Sequence, residues 1–395
     1  MLDRNFIYVK HKSGYYVAVA PAMETTNDSF HMESGNPMVG SFPLSYAKQS
    51  LALDEYHFES LDIGYKGVSS VTQLLSDCLK DSYIYAQANR IHLTMGIQGV
   101  VHALCEMSFP NQRKNILIEE PSYAFIVDLF KSHTESKVFT IQRTIEGFDL
   151  KELEEIFQTQ EIKFFYLVPR NHNPLGTSLS YQQRKKIIAL AQEYDVYLAE
   201  DDYFMDTFHI RNYEPLHYLS GGDHCIFLGS FTKILPYLCI GFTIMPAELR
   251  QIYIDKVDDL MKFGYYTPPL ISQTMLAVLL SNNSLEISKN LLKRDLQDKI
   301  SALQKYTKYW PASILSYSGY HGYYASIKLH PKISVDCYIR ELEQRNIYIR
   351  SNLESFYHEE HFDNSVRVSL AKISAEDIHK TYPILRELAE SLYAE

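Results

Sequence analysis

Tryptophan occurs once in the 395 residues, and cysteine only five times, at Cys78, Cys105, Cys225, Cys239 and Cys337. No two of these cysteines form a CxxC pair and their number is odd, which argues against a disulfide framework or a zinc site. A reducing compartment suits that usage, so the cytoplasm is expected. Positive charge is also short: 38 lysines and arginines face 48 acids, a formal net charge of -10. Such a chain has no electrostatic footprint for a polyanion and by itself is not expected to bind nucleic acid. No apolar run approaches the ~20 residues of a membrane span, and the polar start does not read as a signal peptide. Internal repeats and low-complexity tracts are missing as well.

What is present is an ordinary globular composition, 46% hydrophobic and 22% charged, long enough for about two or three domains. Residues 3 to 18 read as two short strands around a tight basic turn at Lys10 to Gly14, and a polar connector follows from Pro21 to about Ser41. Alternating units begin after Tyr46. Helices are expected at Val71–Tyr83, from Gly96 to about Met107, and at Ser122–Ser132, Leu150–Phe157 and Tyr181–Tyr194. Strands are expected at Ile91–Met95, Ile116–Glu119, Val138–Ile141, Phe164–Val168, Val196–Ala199, Cys225–Leu228 and Ile240–Ile244. These strands are continuous apolar runs, as in a sheet covered on both faces, so the fold class is α/β with a mainly parallel sheet flanked by helices. A helical region from Pro246 to Leu280, broken at Pro268-Pro269, leaves that sheet. The remainder suits a smaller α+β domain with strands Tyr323–Leu329, Ile347–Ile349 and Val366–Leu370 and a helix from Ala375. The expected division is 1–20 hairpin, 21–45 connector, 46–280 large domain and 281–395 small domain, with a ligand cleft between the last two.

Ligands of open α/β sheets collect at the carboxyl ends of the strands. Gly96-Ile97-Gln98 opens a helix there, where free N–H groups and the helix dipole favour a phosphate, although many βα turns contain glycine. Tyr123 follows the next strand and reads as a stacking ring or a packing ring. Asn173, in His172-Asn173-Pro174-Leu175-Gly176, is a donor to a phenolate or simple turn chemistry. Glu200-Asp201-Asp202-Tyr203 is either a solvated acidic loop or a strand end whose aspartate keeps a pyridinium protonated. Ser230-Phe231-Thr232-Lys233 puts one amine just past a strand: a surface lysine, or a Schiff-base lysine whose neighbouring hydroxyls meet a phosphate. Arg367, in Val366-Arg367-Val368-Ser369-Leu370, faces solvent or turns its planar fork to a carboxylate. Taken together these describe a pocket for pyridoxal 5′-phosphate and an amino acid. His358-Glu-Glu-His361 reads as a charged loop and not a metal site, and Arg184-Lys185-Lys186 as the solvated face of a helix.

With those motifs the chain resembles the fold-type I class I aminotransferases over about residues 30 to 395. The resemblance implies that Lys233 forms the internal aldimine, Asp201 pairs with the ring nitrogen, and Asn173 and Tyr203 contact the ring oxygen. It implies that Tyr123 stacks on the ring and Arg367 holds the substrate carboxylate, while Gly96, Ile97, Gln98, Ser230 and Thr232 serve the phosphate. Glu200-Asp201-Asp202-Tyr203 and the stretch Arg367 to Ile378 look most like the aminotransferase-like half of MocR-type regulators of the GntR family, and residues 3 to 18 resemble the wing of their winged-helix domain. That implies a cytoplasmic homodimer whose amino-acid effector forms an external aldimine, with DNA bound only through a winged-helix part that this chain lacks. The alternatives are an active aminotransferase and a module that no longer holds cofactor. Two departures stand out: Cys239 occupies the usual place of a phosphate-binding arginine, and the family's Tyr-x-Asp-Pro-x-Gly is replaced by Asp62-Ile-Gly-Tyr65-Lys-Gly67.

Overall fold

The computed structural model describes residues 7–10, 14–17, 29–36, 67–132, 134–205, 213–235, 238–262, 267–281 and 284–395. Strands β1 (Ile7–Lys10) and β2 (Gly14–Val17) pair antiparallel as the expected hairpin, while the middle of its turn lies outside the described residues. Most of the segment around Tyr65 lies outside them too.

The large sheet holds β4 (Ile91–Thr94), β5 (Asn115–Glu120), β6 (Val138–Gln142), β7 (Ile162–Leu167), β8 (Tyr197–Asp202), β9 (Cys225–Ser230) and β10 (Gly241–Ile244), in the spatial order β4-β10-β9-β8-β7-β5-β6. Neighbours from β9 through β6 are parallel, and β10 alone runs against the rest, antiparallel to both β9 and β4. Burial on both faces explains the unbroken apolar runs. One face packs on helices α2 (Gln98–Glu106), α3 (Ala124–Ser132) and α7 (Arg250–Met261), the other on α4 (Leu150–Thr159) and α5 (Tyr181–Glu193). A single turn, α6 (Leu216–Leu219), precedes β9, and helices α8 (Leu270–Ser281) and α9 (Ser284–Thr307) lead from the large sheet into the C-terminal part. Local chemistry sets several helix starts: the Asp149 carboxylate accepts from the amides of Lys151 and Glu152, and Ser180 caps α5. Helix α1 (Ser69–Leu79) ends sooner than expected, giving way to a single tight turn before Tyr83 adopts a left-handed backbone.

The C-terminal part carries an antiparallel sheet β11-β12-β15-β14, with β11 at Leu315–Tyr317, β12 at Tyr324–Leu329, β14 at Arg350–Ser351 and β15 at Ser365–Ser369. It is backed by α10 (Val335–Glu343) and by α11 (Ala375–Ala394), which Ser374 and Asp377 open with a reciprocal capping box. The stretch expected as a plain connector contributes β3 (Phe30–His31), which pairs in parallel with β13 (Ile347–Tyr348) and so ties the connector to the C-terminal part.

Two further expectations need correction. Strand β8 runs on to Asp202 instead of ending at Ala199, so the acidic triplet is strand and not loop. Arg184 is not solvated: it is buried, lies 3.7 Å over the Tyr213 ring and donates to the Glu214 carbonyl. Helical geometry separates it from the exposed Lys185 and Lys186 by turning their side chains about 100° and 200° away.

Candidate functional site

Alternation along β8 sorts the three acids to opposite faces. Glu200 and Asp202 point one way: Glu200 accepts from the amides of Leu216 and His217, and Asp202 takes both prongs of Arg170 at 2.7 and 2.6 Å. Asp201 points the other way, 1% exposed, and accepts from the Tyr166 hydroxyl at 2.5 Å and the Tyr203 amide at 3.1 Å. Among the described residues no cation bonds to it. Burial raises its pKa to about 7, against the pull of those two donors. A carboxylate in that position is costly until a cation arrives.

Lys233 and Arg367 open onto one cavity of about 790 Å³ with Tyr123, Tyr324, Glu33, Gly35 and Asn36. Burial, helped by the nearby Arg367 and opposed by Asp201, lowers the Lys233 pKa to about 8. Its amine donates to Asn36 Oδ1 at 2.9 Å. Arg367, 9% exposed on β15, donates to the Glu33 carbonyl at 2.6 Å and, more weakly, to Asn173 Oδ1 at 3.4 Å, and it lies 5.0 Å over the Tyr324 ring. Tyr123 completes this wall: burial raises its pKa to about 12, with Tyr324 and Asp201 adding to the shift and Gln98 and Arg367 opposing it. The Tyr203 hydroxyl donates to the Asn171 carbonyl at 2.7 Å, in the turn that also carries Asn173.

The remaining expected residues gather at the carboxyl ends of β4 and β9. Gly96 takes a backbone angle of +115° that favours glycine and leads into α2, whose cap residue Ile97 supplies no side-chain hydrogen bond. The Ser230 and Thr232 hydroxyls lie 2.9 Å apart. Among the described residues the buried Thr94 hydroxyl has no hydrogen-bond partner, and a side chain at Gly241 would sit 3.0 Å from it and 3.2 Å from Gly96. Cys239 is exposed with a left-handed backbone.

A family model described as aminotransferase class I and II matches residues 62–382 of this chain. The chain belongs to that family. Its curated relatives include the HTH-type transcriptional regulators YcxD of Bacillus subtilis, 27% identical over 97% of this chain and 87% of the relative, and NorG of Staphylococcus aureus, 24% identical over 73% and 65%. Among solved structures the fold matches the multiple substrate aminotransferase of Thermococcus profundus, with a TM-score of 0.79 at 20% identity, covering 94% of this chain and 93% of the other. It also matches the α-aminoadipate aminotransferase LysN of Thermus thermophilus, with a TM-score of 0.79 at 20% identity and 92% of each chain covered. These last two likenesses establish a fold-type I architecture.

The cofactor of this aminotransferase family is pyridoxal phosphate, and the chain's own residues fit it. A buried acid without a cation, an amine held near neutrality, an uncapped helix start and an unpartnered threonine hydroxyl are each completed by a pyridinium, an aldehyde and a phosphate. Inspection of the sequence did not find Tyr166, Tyr324, Glu33 or Asn36. A phenol inside the apolar run Phe164–Leu167 was the available signal for Tyr166, because a buried hydroxyl needs a partner. No local pattern marks the other three. His361 lies outside this group of residues and bonds the buried Glu120 at the end of β5 at 2.6 Å, while the His358 amide donates to the same carboxylate.

Proposed function

We propose that this chain is the amino-acid-sensing, dimer-forming part of a MocR-type regulator of the GntR family, with pyridoxal phosphate at Lys233. The observation that carries the reading is that Lys233 and Arg367 share one cavity with Asp201 nearby, and all three bond neutral atoms instead of each other. Such groups are set for a ligand that brings an amine, a carboxylate and a cationic ring nitrogen.

When bound, the cofactor supplies an aldehyde for the amine and a ring able to accept electrons. Lys233, its pKa lowered to about 8 by burial, would offer that aldehyde a larger unprotonated fraction than an exposed lysine does. Asp201 keeps a proton on the ring nitrogen, and Tyr166 fixes the carboxylate's direction. Tyr123 would stack on the ring, Asn173 and Tyr203 would orient its oxygen, and Gly96, Ile97, Gln98, Ser230 and Thr232 would hold the phosphate. Arg367 would bind the effector carboxylate beside the Lys233 that would hold the cofactor. In this reading DNA is bound through a winged-helix part of which the hairpin β1–β2 is the wing, two copies associate, and the protein works in the cytoplasm. The regulatory relatives support the choice of sensor over enzyme.

Borohydride reduction of the cofactor-saturated chain followed by peptide mapping tests the site: label is expected on Lys233 and absent from Lys233→Ala. A label elsewhere would falsify the assignment. A second reading, a working aminotransferase, is favoured by the low pKa of Lys233, which suits a general base once displaced. Sustained conversion of an amino acid plus a keto acid would select it, whereas binding without turnover selects the sensor.

A further inference from the structure

Glu119, the residue before the last of β5, has a fully covered side chain that the reading above leaves without a role. Its Oε1 accepts from the Val168 amide, where the chain leaves β7, and lies 3.2 Å from Nε2 of His172. Its Oε2 lies 3.8 Å from Nε of Arg143, whose side chain is covered as well and whose nitrogens have no hydrogen-bond partner among the described residues. A carboxylate is tolerated at such depth only where donors or a counter-charge meet it, and Glu119 gathers both.

The His172 ring carries that anchorage into the turn beyond. Its Nδ1 accepts from the Leu175 amide at 3.3 Å. Burial lowers its pKa against the pull of Glu119, so the ring is neutral and its one proton sits on Nε2, toward the carboxylate. The other side of the turn meets the small domain, where the Ser318 hydroxyl donates to the Leu175 carbonyl at 2.7 Å and the His321 amide to the Gly176 carbonyl at 3.2 Å. Asn173 lies inside this clamp. Among the described residues its side chain makes one hydrogen bond, the long contact with Arg367 at 3.4 Å, so the turn and not its own partners sets its direction.

We infer that Glu119 and His172 are positioning residues: through the tautomer and tilt of the His172 ring, the buried carboxylate aims the Asn173 amide at the ring oxygen of the cofactor. The inference rests on the functional reading above and adds to it the pair that holds its ring-oxygen donor. A donor to that oxygen favours its anionic form, so a misaimed Asn173 lets the bound cofactor keep its proton to higher pH.

The pH midpoint of the bound cofactor's absorbance, titrated on the full chain loaded with pyridoxal phosphate, reads the aim of Asn173. Asn173→Ala is expected to raise it by about one to two units, the order of one hydrogen bond to a charged group. His172→Asn keeps an acceptor for the Leu175 amide but falls short of Glu119. It is expected to raise the midpoint too, and His172→Asn with Asn173→Ala to raise it no further than Asn173→Ala alone. Glu119→Ala should follow His172→Asn, whereas Glu119→Gln, which leaves an acceptor for the Val168 and His172 N–H groups, should restore the parent midpoint. Urea unfolding of the same variants separates aim from folding, and His172→Asn decides the matter if Glu119→Ala does not fold. Lost stability with an unmoved midpoint in His172→Asn makes the pair merely structural and overturns the inference, as do additive shifts in the double variant. Both outcomes leave the site reading intact. An unmoved midpoint in Asn173→Ala instead removes the ring-oxygen assignment, and the inference goes with it.

Discussion

Charged groups are handled in opposite ways in two regions of the molecule. Around β5 and the far face of β8, charge meets charge: Asp202 holds the Arg170 fork, and Glu120 holds His361. In and beside the cavity, Lys233, Arg367 and Asp201 are held by an amide oxygen, a carbonyl, a phenol and a backbone N–H. The difference separates structure from readiness. A buried pair of opposite charges is complete, and removing one member strands the other; a charge resting on a neutral atom can change partners at modest cost.

The comparison breaks most visibly at two adjacent residues. Asp202→Asn removes the carboxylate that takes both prongs of the buried Arg170 guanidinium and is expected to cost about 3–5 kcal/mol in urea unfolding. In the cofactor-free chain Asp201→Asn removes a carboxylate that has no cation, so its cost should be far smaller, while its hold on pyridoxal phosphate falls. Equal losses of stability in the two variants would erase the distinction. Arg367→Ala comes next, with an expected loss of about 2–5 kcal/mol in amino-acid affinity measured by titration of the loaded chain, since it strands a desolvated carboxylate. Unchanged affinity would place the carboxylate elsewhere.

Two pH profiles sharpen the contrast further. Lys233 is depressed from 10.5 to about 8, so between those values the unfolded chain binds more protons than the folded one, and this group's contribution to stability rises with pH across that window. Cofactor loading should therefore gain rate with a midpoint near 8, and Arg367→Ala should move that midpoint upward by removing a neighbouring positive charge. A midpoint near 10.5 in the parent chain would show an ordinary exposed lysine. The smallest effect belongs to His361, whose pKa the Glu120 hydrogen bond raises above 6.5. Its stabilising effect is full below 6.5 and fades as pH rises through the raised value, by no more than about 1 kcal/mol because the ring is half exposed. Thermal scans of His361→Ala against the parent at both ends of that range read it.

Much of the fold was legible because strand burial on two faces writes itself as unbroken apolar runs, as in Phe164–Leu167 and Cys225–Leu228, and the glycine turn at Gly96 marks a strand end by its backbone needs. The Glu200-Asp201-Asp202 triplet shows where that legibility stops. Three acids after an apolar run read equally well as solvated loop, and only the neighbouring strands, Arg170 and the amides of Leu216 and His217 make them strand. Arg184 failed in the same way: its charge suggested solvent, and the Tyr213 ring that covers it is 29 positions away.

The residue order alone determined the alternation of strand and helix, the carboxyl-end position of Lys233, and the acid, asparagine and arginine that accompany it, because those follow from local patterning. Tertiary structure alone decided that a short polar stretch near residue 33 covers the amine and the guanidinium, that Tyr166 fixes Asp201, and which of two adjacent aspartates is left without a cation. Those outcomes depend on groups dozens to hundreds of positions apart meeting in space, and no local spacing encodes such a meeting.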